Sequence, residues 1–140
     1  MVIDGDSMSQ KTRLILLNAL PLNAIQSECS TILCRKIQLS EVVELIMNYD
    51  VENYIRHEST VKLLAKLSGK DLKPSSELYK HEDRDILVII TLKRPIRGQE
   101  VEVTEEDLEA YLCIIVSSDV RINILCKLLV ETLKIQRLLP

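Results

Sequence analysis

Apolar residues recur along this chain at two spacings, and the alternation between them predicts its elements. Residues 13–17 (Arg-Leu-Ile-Leu-Leu) form a short aliphatic run that predicts a strand, and residues 31–38 predict a second. Between them Asn18-Ala19-Leu20-Pro21-Leu22-Asn23 reads as a loop or helix entry. Val42, Val43, Leu45 and Ile46 then fall at helical spacing over residues 41–47, with Ser40 as the cap and Glu41 as a first-turn acid. A second helix follows, with Val61, Leu64, Ala65 and Leu67 on one face. Ser59 and Thr60 are its N-cap candidates and Gly69 is its stop. Residues 77–80 and 85–93 flank the charged turn His81-Glu82-Asp83-Arg84. This predicts a hairpin with a solvated histidine at its tip and a second strand buried on both faces. Thr104-Glu105-Glu106-Asp107 opens a further short helix, residues 112–116 read as a last core strand, and residues 120–139 as an amphipathic helix.

Strands alternating with helices in 140 residues predict a small single α/β domain over residues 11–118, a mixed central sheet flanked by helices. Residues 1–10 read as a flexible N-terminal tail and residues 119–140 as a C-terminal helical extension. Its apolar face is expected to pack either on the domain's own sheet or against a second subunit.

Composition narrows the function. Lys and Arg number 18 against 21 Asp and Glu, a net charge of −3 that argues against a general binder of long nucleic acid but allows a small anion in a local basic pocket. With no Phe and no Trp the core must be aliphatic, and bases have no stacking platform beyond four tyrosines. Cys29, Cys34, Cys113 and Cys126 show neither a C-x-x-C pair nor zinc spacing, and read as reduced, mostly buried thiols. The first residues lack a signal-peptide pattern and no apolar run reaches the roughly 20 residues that span a bilayer. The expectation is a cytoplasmic protein with no membrane partner.

No G-x-S-x-G, P-loop, G-x-G-x-x-G or H-x-x-x-H pattern is present. Chemistry therefore rests on isolated residues. His57 lies beside a helix start, where free backbone N–H groups and the helix dipole can hold a phosphate within reach of an imidazole that can protonate it. The other reading of His57 is a plain capping residue. Arg94 and Arg97, in the turn 94–98, can converge on one anion with fork geometry or simply be solvated. The acids from Glu100 to Asp107 read as a solvated, helix-capping face; no metal ligand set and no cofactor is expected.

Taken in order, the first strand, Asn18 and Asn23, then Ile55-x-His57-x-Ser59-Thr60 running into a helix that stops at Gly69, then a strand closing on Arg94 and Gly98, resemble the viral ring-nuclease anti-CRISPR family. The likeness spans roughly residues 12–117. It implies a homodimer that binds cyclic tetra-adenylate, the second messenger of type III CRISPR defence, and cuts it without a metal. In that reaction a ribose 2′-hydroxyl of the ligand attacks the adjacent phosphodiester and the 5′-oxygen leaves. The substrate brings its nucleophile, so the protein chiefly needs an in-line geometry and an acid. The resemblance makes His57 that acid, sets Arg94 beside the scissile phosphate with Arg97 where the family carries a glutamate, and gives ligand binding to Asn18, Asn23, Ser59 and Thr60. The chain departs from the family also at Pro21, where the family has serine, and at Arg56, where it has glycine; a basic residue expected near Ser76 is absent. Two other functions stay in view: a binder that holds the ring without cutting it, and a structural or partner-binding protein that uses the C-terminal apolar face, with His57 an ordinary cap.

Overall fold

The computed structural model describes residues 12–94 and 102–116, together with Leu128 and Glu131. Five strands make one sheet in the order β2-β5-β4-β1-β3: β1 (Leu14–Leu17), β2 (Thr31–Ile37), β3 (Val51–Asn53), β4 (Ile86–Leu92) and β5 (Leu108–Val116). β1 runs parallel to both β3 and β4, while β5 is antiparallel to β4 and β2. All four residues of β1 are buried, as expected of a parallel strand with neighbours on both sides.

Helices α1 (Leu39–Asn48) and α2 (Glu58–Ser68) cover one face of the sheet. Val42 and Ile46 of α1 and Val61 and Leu64 of α2 pack there on Leu14, Leu16, Val88, Ile90 and Ala110. The other face carries Ile15, Leu17, Leu87, Ile89 and Ile115, and is closed by Ala24 and Ile25 of the loop after β1 together with Tyr54 and Tyr79. The mixed α/β sheet is the one the sequence predicts, with both of these helices on the same side. At all but one of the largest fully buried sites, Cys113 being the exception, an aliphatic side chain is removed from water, roughly 1.5–3 kcal/mol apiece, in a core without Phe or Trp.

Several local expectations change. α1 is capped by Gln38, whose side chain pairs with the Glu41 backbone while the Glu41 carboxylate accepts from the Gln38 N–H at 3.3 Å; Ser40 lies inside the helix. α2 begins two or three residues earlier than its hydroxyl residues suggest, because His57 is the N-cap. It ends as predicted, with Gly69 in the left-handed region at φ 72° and its N–H on the Ala65 carbonyl. The short helix after Thr104 is a single 3-10 turn, Glu105–Asp107.

The predicted hairpin does not form. β4 already has β1 on one side and β5 on the other, so residues 77–80 have no edge to join. They belong instead to an irregular strap laced to the segment after β3. Asn53 Nδ2 donates to the Lys73 carbonyl at 2.7 Å, and the Ser75 N–H donates to the Ile55 carbonyl at 2.9 Å. His81 is drawn into the protein with this strap, not left solvated.

The cysteines also differ from expectation. Register sets Cys34 of β2 directly opposite Cys113 of β5, Cα atoms 4.3 Å apart, and a disulfide joins them. Cys29 is disulfide-bonded as well, and Cys126 lies outside the described residues. So do Arg97, the tail 1–10 and all of the extension 119–140 except Leu128 and Glu131, which are helical and exposed. Among the described residues no helix is long and apolar enough to cross a membrane, and no group of three or more His, Cys, Asp or Glu could hold a metal ion.

Candidate active site

The three parallel strands end at the same edge of the sheet, and their register says how far each continuing segment projects. Leu17, the last residue of β1, pairs with Ile89, and Leu16 pairs with Asn53. Asn18 therefore leaves the sheet at that edge, His57 follows four residues beyond Asn53, and β4 runs on to Arg94. β3 and β4 flank β1 on opposite sides, so the crossover through α2 passes from one side of β1 to the other. The carboxyl edge at such a reversal is where open α/β sheets bind ligands.

His57 is held through one nitrogen. Its Nδ1 accepts the Thr60 N–H at 3.4 Å and lies 2.7 Å from Thr60 Oγ1, whose hydroxyl can share the same lone pair. Of the first-turn N–H groups that lack an intrahelical partner, that of Thr60 is thus taken by the imidazole. The neutral ring in this arrangement carries its proton on Nε2, which is directed away from the cap.

Ser59 and Thr60 are turned to the protein's own structure. Thr60 is 3% exposed, and Ser59 Oγ accepts the Val103 N–H at 2.8 Å. That bond ties the start of α2 to the segment before β5. Lys93 N–H donates to the Asp107 carbonyl at 2.8 Å and Arg94 approaches Asp107 Oδ1 at 3.9 Å, so the end of β4 joins the same group of loops. The Thr104 N–H and hydroxyl donate to the Asp107 carboxylate, which they hold below its ordinary pKa range. Arg94 itself is exposed.

Asn18 lies in a cleft of about 260 Å³ whose wall also includes Arg56, Tyr54, Leu78 and Tyr79. Asn23 is exposed in the 3-10 turn Leu22–Ala24 and does not line it. Arg56, the residue before His57, donates one bond to the Ser76 carbonyl at 3.4 Å and is otherwise exposed. The structure thus brings Asn18 together with Arg56, the residue before His57, places Ser59 and Thr60 in the first turn of α2, and sets Arg94 beside Asp107.

Sequence reasoning missed the aromatic and ionic support of this cleft. Asp85, 2% exposed, accepts two bonds from Arg13 (2.8 and 2.7 Å), one from the Tyr79 hydroxyl (2.6 Å) and one from the Glu82 N–H (3.0 Å). Burial pushes the Asp85 carboxyl up, but these hydrogen bonds outweigh it and leave the group below the ordinary carboxylate range. The bond to Asp85 raises Arg13, and burial followed by that same carboxylate raises Tyr79. The available signal was positional: Arg13 and Asp85 each stand one residue before a parallel strand that pairs with the other's.

A five-stranded mixed sheet with two helices on one face makes this a small α/β protein. The STIV B116-like family model matches residues 14–137, and the chain belongs to that family. Among solved structures, B116 of Sulfolobus turreted icosahedral virus is similar at 18% identity with a TM-score of 0.60, over 72% of this chain and 97% of that one. No curated protein matches the sequence.

Proposed function

We propose that this chain is a metal-independent ring nuclease: a phosphodiesterase that binds cyclic tetra-adenylate and opens it, switching off type III CRISPR signalling. The observation that carries the reading is the one-sided tether of His57. The imidazole is tied to Thr60 through Nδ1, which leaves Nε2 as the ring nitrogen for proton transfer, and the preceding residue, Arg56, lines a cleft with Asn18. A ribose 2′-hydroxyl of the ring attacks the neighbouring phosphorus in line, its own proton passing to water. The bond to the 5′-oxygen breaks as the protonated imidazole, its Nδ1–H donating to Thr60 Oγ1, gives its Nε2 proton to that oxygen and returns to the neutral ring, leaving a 2′,3′-cyclic phosphate. Arg56, Arg94 and Arg97 supply positive charge against the phosphates. Ser59 and Thr60 serve by fixing the start of α2 and the imidazole. A twofold ligand suits a homodimer acting in the cytoplasm, each subunit cutting one of two opposite linkages to release dinucleotides.

The second reading is a binder that sequesters or senses the ring without cutting it. It is favoured by Arg94, whose guanidinium faces Asp107. The deciding experiment incubates the purified protein with labelled cyclic tetra-adenylate in excess chelator and compares wild type with His57→Ala by chromatography. Conversion to linear dinucleotides that disappears in the variant supports the nuclease. An intact ring that co-elutes with both proteins makes the chain a binder, and no association with either overturns both readings.

A further inference from the structure

We infer that Tyr79 is a positioning residue for His57, acting through Tyr54 and a closed circuit of side chains beneath the cleft. The inference rests on the site proposed above. The circuit runs from Arg13 to Asp85 (2.7 Å), from Asp85 to the Tyr79 hydroxyl (2.6 Å), and from the Tyr79 ring to the Tyr54 ring, edge to face with centroids 5.3 Å apart. It continues from the Tyr54 hydroxyl to Glu52 (3.2 Å) and returns from Glu52 to Arg13 (2.9 Å). Each link fixes the orientation of the next. Tyr79 is 4% exposed, and its hydroxyl has one proton, which goes to the ionised Asp85. The contact with His81 at 3.0 Å must then be donated by His81 Nδ1, so a second side chain holds the same oxygen.

The circuit bears on the site because Tyr54 lies three residues before His57 on the segment that leaves β3. Its N–H is fixed to the Leu16 carbonyl at 2.9 Å, next to the end of β1. The strap that carries Tyr79 is bonded to this same segment through Asn53, Ile55 and Arg56. Both rings line the cleft that holds Asn18 and Arg56, while the Tyr79 hydroxyl is directed to Asp85. Loss of that hydroxyl therefore changes no atom offered to a ligand. It loosens the strap, and through it the direction of the imidazole. An error of an ångström at a proton donor lowers the rate far more than it lowers binding.

The chain has two histidines, which makes the test readable. Tyr79→Phe and, separately, Tyr54→Phe are prepared with wild type. Imidazole carbon-bound proton signals are recorded by NMR, and cleavage of cyclic tetra-adenylate is measured as kcat and KM. The expected result is that the His57 signals move or broaden in both variants, kcat falls about tenfold, and KM stays within about twofold. The inference is overturned if the His81 signals move in Tyr79→Phe, showing that the contact is lost, while His57 signals and kcat match wild type. Should Tyr79→Phe fail to fold, Tyr54→Phe decides on the same readings, since it cuts the circuit at the half-exposed Glu52. If wild type opens no ring, the nuclease reading fails by itself, and the His57 spectrum still decides whether Tyr79 positions the imidazole.

Discussion

His57 and Thr60 are joined twice at the start of α2, the imidazole Nδ1 meeting both the threonine N–H and its hydroxyl oxygen. One residue thereby has two separable duties. A cap needs only an acceptor in that position, whereas proton transfer needs the second ring nitrogen. Asparagine is among the best N-caps and is no acid. His57→Asn is expected to keep the stability of wild type within about 0.5 kcal/mol, whereas His57→Ala loses about 1 kcal/mol. Both are expected to lose roughly 10²–10⁴-fold in ring opening. Thermal unfolding beside a cleavage assay separates the two duties, and an active His57→Asn protein would show that the imidazole is a cap alone.

The Arg13–Asp85 pair sets the protein's behaviour in acid. Asp85 ionises at lower pH in the folded state than in the unfolded one, because Arg13, Tyr79 and the Glu82 N–H bond its charged form. Its contribution is therefore fully present above the unfolded carboxylate value of about 3.9 and is lost as pH falls through the lower folded value. Wild-type stability should decline across that interval. Asp85→Asn removes the principal counter-charge of Arg13, which keeps Glu52 and Glu82, so it should cost roughly 1.5–3 kcal/mol near neutrality. It should also flatten the acid slope. Urea midpoints taken from pH 7 down to pH 3 on both proteins check this; parallel slopes would remove Asp85 as the cause.

These features differ in how far the sequence could foretell them. β1, the end of α2 and a helix start beside His57 were legible, because each depends on local pattern: an aliphatic run, a glycine where a left-handed residue is required, an apolar stripe at helical spacing. β3 was not, since a three-residue strand has too little periodicity to register. The hairpin was misread for a different reason. Residues 77–80 have strand-like composition, but whether β4 has a free edge is decided by β1 and β5, which lie far away in sequence. Likewise Tyr79 looks like any solvent-side tyrosine until Asp85 and Tyr54 are brought to it. His57 could be singled out because its signal is local to a helix start; the circuit around Tyr79 could not, because Arg13–Asp85, Arg13–Glu52 and Tyr54–Tyr79 join segments far apart in sequence.

The disulfide between Cys34 and Cys113 fastens the edge strand β2 to β5 across a sequence separation of 79. In the chain-entropy account a loop of that size restrains the unfolded state by about 4.5 kcal/mol, with measured losses on removing a native bridge of about 2–5 kcal/mol. The double variant Cys34→Ser/Cys113→Ser should lose stability in that range, and addition of a reductant should lower wild type further than the variant. Chemical denaturation with and without dithiothreitol measures both. Identical curves for wild type and variant under oxidising conditions would mean that the two thiols are not bridged in solution.

Arg56 offers the sharpest division between binding and chemistry at the proposed site. It lines the cleft with Asn18, is exposed, and has a single weak bond to the Ser76 carbonyl, so its removal should disturb the fold by less than about 0.5 kcal/mol. A guanidinium that contacts a phosphate in the bound ring and in the transition state alike contributes uniform binding, which appears in KM and not in kcat. Arg56→Gln is therefore expected to raise KM about tenfold with kcat nearly unchanged, and to reduce the salt dependence of binding, since one fewer cation meets the phosphates. Steady-state cleavage at low and high potassium chloride tests both parts. A fall in kcat at unchanged KM would instead place the Arg56 charge on the scissile phosphate in the transition state, and would make this arginine, next to His57, a catalytic residue.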